Sequence, residues 1–274
     1  MGPVGWLIIG LAALAGLYLF LIAPRTFRRR PPPVWFRGLV AHRGLHGKDA
    51  PENSLKAFQL AAAHGFGVEL DVRLTRDGQL AVHHDDSLLR TCGVDRAIAD
   101  MPLREIQTYP LMGTSQFIPC FEEVLREIGG RVPMIVELKT AGKRNSELAE
   151  RVYRLVKPFA GTVCVESFDP RLVRWFRKHA PEMFRGQLAF DPVKKGEKRG
   201  LRYQIGAHLL LNFLSRPDFV AYDHETDRNL SFRLMRTLFH PPVAAWTVRS
   251  EDTSNSLLKC YDVQIFEGFL PEQK

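Results

Sequence analysis

Cysteine is scarce in this chain. Four occur among 274 residues, Cys92, Cys120, Cys164 and Cys260, far apart and without a C-x-x-C pair. That pattern argues against a zinc site or a disulfide framework and suits a reducing compartment. No Lys or Arg precedes the apolar run at residues 4–23, while basic residues follow it directly, the reverse of a signal peptide's charge order. No recognition motif or basic–aromatic repeat accompanies the formal net charge of +8, so nucleic-acid binding lacks support. Nor does a glycine-rich phosphate loop follow the first strand-like run, which leaves an open doubly wound sheet without its usual ligand signature.

The apolar run reads VGWLIIGLAALAGLYLFLIA, about 20 residues, enough to cross a hydrocarbon core as a helix. Arg25, Arg28, Arg29 and Arg30 follow it. By the positive-inside rule they hold the C-terminal side in the cytoplasm, and they attract anionic headgroups. The sequence therefore predicts a single-pass anchor in the cell membrane at residues 1–24, with the rest of the chain cytoplasmic; a cleaved leader is the competing reading. Residues 25–36, containing three consecutive prolines, read as a basic, stiff linker. Residues 37–274 are long enough to bury a core without staples, and the chain's 45% hydrophobic and 25% charged content is ordinary for a globular protein.

Nine strand-like runs lie at 39–42, 67–72, 80–84, 133–138, 162–167, 187–190, 219–222, 243–248 and 263–266. Helix-like patterns separate most of them, at 53–64 (closed by Gly65), 121–128, 146–156, 170–179 and 230–238. The second and third runs are too close for a crossover helix, so they read as a hairpin turning at Asp77-Gly78 through a two-residue loop. Removing the returning arm leaves eight strands. This predicts an α/β fold, a (β/α)8 TIM barrel at 37–274, with the hairpin and a turn-rich insertion at 87–118 on its C-terminal mouth. A doubly wound sheet is the alternative.

Glu69 and Asp71 share one face of their strand. Two such carboxylates repel unless a cation lies between them, and oxygen ligands suit Mg²⁺ or Ca²⁺. With a two-residue loop, Asp71 faces His84 and His83 turns away; a one-residue bulge reverses that choice. His42 ends the first strand run in LVAHRG, followed by Arg43, a fork suited to phosphate, and by Gly44, which permits a sharp turn. In PMIVELK, Glu137 and Lys139 add a carboxylate and a cation on one face. Barrel sites assemble at strand C-termini. There, carboxylates hold a hard cation, Arg43 and Lys139 offset growing phosphate charge, and two histidines divide the proton work. That chemistry is phosphodiester cleavage.

The chain resembles the glycerophosphodiester phosphodiesterase family in AHRG (41–44), PENS (51–54) and VELDVRLTRDGQLAVHHD (68–85). IPCFEEVL (118–125), IVELK (135–139), ESF (166–168) and AAWTV (244–248) follow in the family's order. The resemblance implies a TIM-barrel hydrolase that releases glycerol phosphate and an alcohol from a glycerophosphodiester. It implies His42 and His84 as the acid–base pair, and Glu69, Asp71 and Glu137 as ligands of Mg²⁺ or Ca²⁺. Arg43 and Lys139 would hold phosphate, and Glu52 and Asn53 would support the first loop. Phe168 and Trp246 read either as walls of the substrate pocket or as core aromatics. Where the family usually ends its last strand with a Thr-Asp pair before an aromatic and a Pro, this chain has Phe266-Glu267-Gly268-Phe269, and Ser54 replaces the commoner Thr. A lysophospholipase D acting on membrane lysophospholipids is a close variant; a non-catalytic, membrane-anchored headgroup-binding barrel is the reading from another class.

Overall fold

A computed structural model describes residues 2–27, 29–197 and 200–272; Arg28 lies outside the described residues. The strands are β1 (Gly38–Ala41), β2 (Gly67–Leu74), β3 (Leu80–Val82), β4 (Met134–Leu138), β5 (Val163–Ser167), β6 (Arg185–Ala189), β7 (Phe219–Asp223), β8 (Val243–Val248) and β9 (Val263–Phe266). Eight of them run parallel in the order β1-β9-β8-β7-β6-β5-β4-β2, and pairing of β1 with β2 closes the ring. β3 hangs antiparallel on the outer half of β2. The expected (β/α)8 barrel with its mouth hairpin is the observed architecture.

The helices are α1 (Pro3–Ile22), α2 (Leu55–Ala63), α3 (Leu89–Cys92), α4 (Leu103–Ile106), α5 (Phe121–Ile128) and α6 (Asn145–Val156). They continue with α7 (Pro170–His179), α8 (Leu201–Ala207), α9 (Asn212–Ser215), α10 (Leu230–Phe239) and α11 (Glu251–Leu257). Three of the barrel helices carry a clear start signal. Ser54 accepts from the Ala57 N–H ahead of α2, Asp169 from Arg171 ahead of α7, and Asn229 from Ser231 ahead of α10. Gly65, at φ +71°, ends α2 as expected. The segment 87–118 holds α3 and α4 over a satellite core of Leu88, Ile98, Met101, Ile106, Leu111 and Ile118.

The barrel interior changes character from base to mouth. At the base, the rings of Phe36, Phe184 and Phe219 contact one another with centroids 4.7–5.3 Å apart. Gly186 makes room for them, since a Cβ there would lie 2.2 Å from the Phe219 ring. Towards the mouth the register aligns Asp71 of β2 with Glu137 of β4, and Glu137 with Glu166 of β5. One polar layer therefore replaces the apolar ones where the strands end.

The end of α1 and both ends of the segment 25–36 touch the barrel, while most of the segment's described residues between are exposed or half-buried. Ile22 and Phe36 are fully buried, and the Ile22 carbonyl accepts from Asn212 Nδ2 at 3.0 Å. Arg25 pairs with buried Asp218 at 3.0 Å. α1 is long and apolar enough to cross a membrane, and most of its residues are exposed.

The hairpin departs from expectation in one respect. Leu74 pairs with Leu80 and Val72 with Val82, and the Thr75 N–H donates to the Gln79 carbonyl. The loop is therefore three residues, Arg76 to Gly78, and the register is shifted by one from the predicted pairing. Thr75 Oγ1 receives the Gln79 N–H at 2.9 Å and donates to Asp77 Oδ1 at 2.5 Å, while Gly78 takes φ +75°. An Asp-Gly pair suits this wider turn as well as a two-residue one.

Candidate active site

The polar layer opens into a pocket at the barrel mouth lined by His42, Arg43, His84, Glu137, Lys139 and Glu166, among others. Lys139 Nζ lies 2.8 Å from Asp71 and 2.7 Å from Glu137. Burial works against the Lys139 ammonium, but these two carboxylates outweigh it and raise its pKa. Burial likewise opposes the charged form of Asp71, yet Lys139 and Arg43 hold its carboxyl well below the usual range. Glu69 moves the other way. Burial pushes it well above the usual range, and Asp71, Glu137 and Glu166 repel its charge further. Burial and neighbouring Glu137 do the same to Glu166.

The loop after β1 is bent to reach this layer. Arg43 and Asn53 both adopt positive φ, +54° and +58°, conformations that cost energy and cluster at functional sites. The Arg43 N–H donates to Glu69 Oε2 at 3.0 Å, and the Arg43 guanidinium pairs with Glu52 at 2.9 Å and with Asp71 at 3.4 Å. Asn53 Nδ2 donates to Asp71 at 2.8 Å. Glu52 is shared with Arg90; burial opposes its charge, but the two arginines bring its pKa down to about 2. Gly44 is required here, because a Cβ would fall 2.8 Å from the Ala57 backbone of α2.

Each histidine at the pocket has a carboxylate behind it. His42 Nδ1 meets Glu267 Oε2 at 2.5 Å, and its Nε2 faces Glu69 at 3.9 Å. His84 Nδ1 meets Asp85 Oδ1 at 2.6 Å, while Arg73 grips the His84 carbonyl. Burial lowers both imidazoles, His84 to about 4, against the pull of Asp71 in the case of His84 and of Glu267 in the case of His42. Both rings are therefore neutral near pH 7.

His84 reaches the pocket, but not through the predicted register. The observed pairing sets His83, not His84, opposite Asp71, and the His83 N–H donates to the Asp71 carbonyl at 3.0 Å. β3 ends at Val82, so strand alternation no longer governs either side chain. The chain bends away, and His83 is buried between the Asp85 carbonyl and Thr91 Oγ1, at 2.9 and 2.7 Å. Phe168 and Trp246 line the same pocket, their rings 5.5 Å apart and edge to face.

Four ionisable pocket residues escaped the sequence reading: His46, Glu166, Arg249 and Glu267. Arg249 Nε donates to Glu267 Oε1 at 2.9 Å, and His46 Nε2 lies 3.7 Å from Glu267 Oε2. Burial opposes the Glu267 carboxylate, but His42, His46 and Arg249 hold it far below the usual range. A signal was present. Strands β1 and β9 must pair to close the barrel, so the residue after β9 lies beside the residue after β1.

One oxygen from each of Glu69, Asp71 and Glu137 falls within 4.8 Å of the others, and all three residues are buried. With Glu166, four buried carboxylates face only Lys139 and Arg43 among the site's cations. This excess of hard oxygen donors fits a divalent cation of the Mg²⁺ or Ca²⁺ type.

A closed parallel barrel with acid, imidazole and guanidinium groups at its mouth defines a class of barrel hydrolases. Residues 42–264 match the model of the glycerophosphoryl diester phosphodiesterase family, and the chain belongs to that family of hydrolases. A putative glycerophosphodiester phosphodiesterase, YhdW, from Bacillus subtilis is 34% identical over 53% of this chain and 63% of its own length. A glycerophosphodiester phosphodiesterase from Caldanaerobacter subterraneus is 32% identical over 61% of this chain and 67% of its own length. Rat lysophospholipase D GDPD1 is 30% identical over 52% and 48%. An Oleispira antarctica phosphodiesterase, solved with the product sn-glycerol-3-phosphate, superposes with a TM-score of 0.70 at 23% identity, covering 84% of this chain and 92% of that one. That likeness is one of fold.

Proposed function

We propose that the chain is a membrane-anchored, metal-dependent phosphodiesterase that hydrolyses glycerophosphodiesters to glycerol phosphate and an alcohol. The observation that carries this reading is the pairing of two neutral histidines, each backed by a carboxylate, with a buried acidic layer in one pocket. Glu69, Asp71 and Glu137 hold the divalent cation, which when bound supplies polarisation of the phosphoryl oxygen.

The chain's own groups do the rest. Glu267 fixes the Nδ1–H tautomer of His42, leaving Nε2 to take the proton of the attacking hydroxyl; the imidazolium so formed is stabilised by the same carboxylate. Asp85 holds His84 Nδ1 in the same way, and His84 acts in its minority imidazolium form, which Asp85 stabilises and whose Nε2–H protonates the leaving alkoxide. Arg43 and Lys139 flank the phosphate position and offset its growing charge. Glu52 and Asn53 keep the first loop in its strained conformation, and Phe168 and Trp246 wall the substrate pocket. α1 holds the barrel at the cell membrane, with the barrel in the cytoplasm.

The test is product identity. Full-length chain with Mg²⁺ or Ca²⁺ and glycerophosphocholine is expected to give glycerol phosphate and choline. Phosphocholine and glycerol, or no turnover, would refute the reading.

A further inference from the structure

The barrel carries a second charged pocket, at its base and away from the catalytic layer. β6 begins at Arg185 and β7 at Phe219, and beside these entry points lies a cavity of about 380 Å³. Arg25, Arg177, Arg185 and Arg216 line it, and it shares no lining residue with the catalytic pocket.

Four guanidinium groups around one cavity repel each other, and little on the chain offsets them. Asp218 pairs with Arg25 at 3.0 Å and with Arg185 at 3.2 Å. Among the described residues, Arg177 and Arg216 pair with no carboxylate, so four cations face one anion and a positive excess of three remains. Backbone carbonyls hold the forks in place instead. Arg177 Nη1 donates to the Phe213 and Leu214 carbonyls at 3.1 and 2.8 Å. Arg185 Nη2 donates to the Arg216 carbonyl at 3.1 Å. Such contacts fix a guanidinium without cancelling its charge. Burial brings the Arg185 pKa down to about 10 against the pull of Asp218, and Arg25 and Arg177 repel its charge further. Arg185 is 2% exposed, yet its buried Nε has no partner. A buried donor left without an acceptor is costly.

The pocket is also the joint between α1 and the barrel. Arg216 Nη1 donates to the carbonyls of Phe20 and Ala23, at 3.2 and 2.8 Å, in the last turn of α1, where helix carbonyls lack partners of their own. The same guanidinium lies 4.6 Å from the centre of the Phe20 ring. Thr26 and Phe27, just past α1, complete the pocket wall.

We infer that this pocket binds a phosphate monoester, whose dianion takes up most of the excess charge and gives Arg185 Nε its acceptor. Arginine forks match phosphate oxygens two at a time, which a cluster of carbonyl-held guanidinium groups exploits. The monoester has two possible sources. One is a lipid with a monoester headgroup, standing where α1 leaves the barrel; the other is a soluble ester such as glycerol phosphate. The inference does not rest on the phosphodiesterase reading.

The experiment uses the full chain in non-ionic detergent with EDTA, and native mass spectrometry counts the molecules bound per chain. The probes are sn-glycerol 3-phosphate, dioctanoyl phosphatidic acid and, as a phosphodiester control, dioctanoyl phosphatidylcholine. Wild type is expected to bind a monoester whose affinity falls about 10- to 150-fold in Arg177→Gln and in Arg25→Gln, the loss of one hydrogen bond between charged groups. Arg177 is exposed, and Arg25→Gln leaves Asp218 paired with Arg185, so if one variant misfolds the other decides. Arg174→Gln, exposed on α7 and outside the pocket, is expected to bind as wild type does. A molecule in the catalytic pocket is untouched by all three variants and is counted apart. A preference of about tenfold or more for phosphatidic acid assigns the lipid as the source, and anything less assigns the soluble ester. Equal binding by wild type, Arg177→Gln and Arg25→Gln overturns the inference. So does an equal loss in Arg174→Gln, or phosphatidylcholine bound as tightly as phosphatidic acid.

Discussion

Glu267→Gln is the substitution on which the histidine chemistry is most exposed. The carboxylate lies 2.5 Å from His42 Nδ1, and both side chains are less than one-fifth exposed. A hydrogen bond to a charged group contributes about 1.5–3 kcal/mol. In the proposed reaction His42 becomes charged only as it takes the proton, so losing the carboxylate costs mainly in the transition state. That converts to roughly 10- to 150-fold in kcat/KM. The amide can also donate to Nδ1 and favour the wrong tautomer, which pushes the loss to the upper end. The pH profile adds a sign. Burial already lowers the His42 pKa and Glu267 pulls it back up, so removing the charge lowers it further. The acid limb set by neutral His42 then moves to lower pH, whereas a variant damaged only in packing keeps its limb in place. The assay is kcat/KM for glycerophosphocholine across pH for wild type, Glu267→Gln and Glu267→Asp. Wild-type rates in Glu267→Gln, or a reduced rate with an unmoved acid limb, would refute this role.

The adjacent histidines should separate cleanly. His84→Ala is expected to lose about 10²- to 10⁴-fold in kcat with an unchanged melting temperature. His83→Ala instead removes the imidazole that Thr91 Oγ1 and the Asp85 carbonyl bond and should cost about 1–3 kcal/mol of stability with catalysis largely kept; thermal melts and rates on both variants check this. Gly186→Ala drives a Cβ into the Phe219 ring and should cost about 1–3 kcal/mol, seen as a drop of about 2–4 °C per kcal/mol. Divalent cation at about 100 times its Kd should stabilise the wild type by about 2.7 kcal/mol. Asp71→Asn should lose that gain in calorimetry, and an equal gain in the variant would count against the Glu69, Asp71 and Glu137 site.

The barrel was legible because its strands are short runs of buried apolar residues, and all nine were expected within a few residues of their observed bounds. The helices α8 and α11 were not. α8 is seven residues containing a glycine, and α11, EDTSNSL, is composed largely of polar and capping residues that read as loop. The hairpin register failed because the Thr75 hydroxyl captures the Gln79 N–H and widens the turn. This is a side-chain contact that the Asp-Gly pair does not announce. His84 lies at the pocket all the same, because β3 ends before pairing can orient it. Glu267 stood in plain view as a departure from the family pattern. Its meaning needed the closure of β1 on β9, which sets it beside His42.

The most direct test of the account is release of glycerol phosphate from glycerophosphocholine by the full chain, with and without EDTA, beside a His42→Ala, His84→Ala double variant. The account predicts rapid release by the wild type with added Mg²⁺ or Ca²⁺, and release at background level both in EDTA and from the double variant. Release by the double variant at the wild-type rate would contradict it.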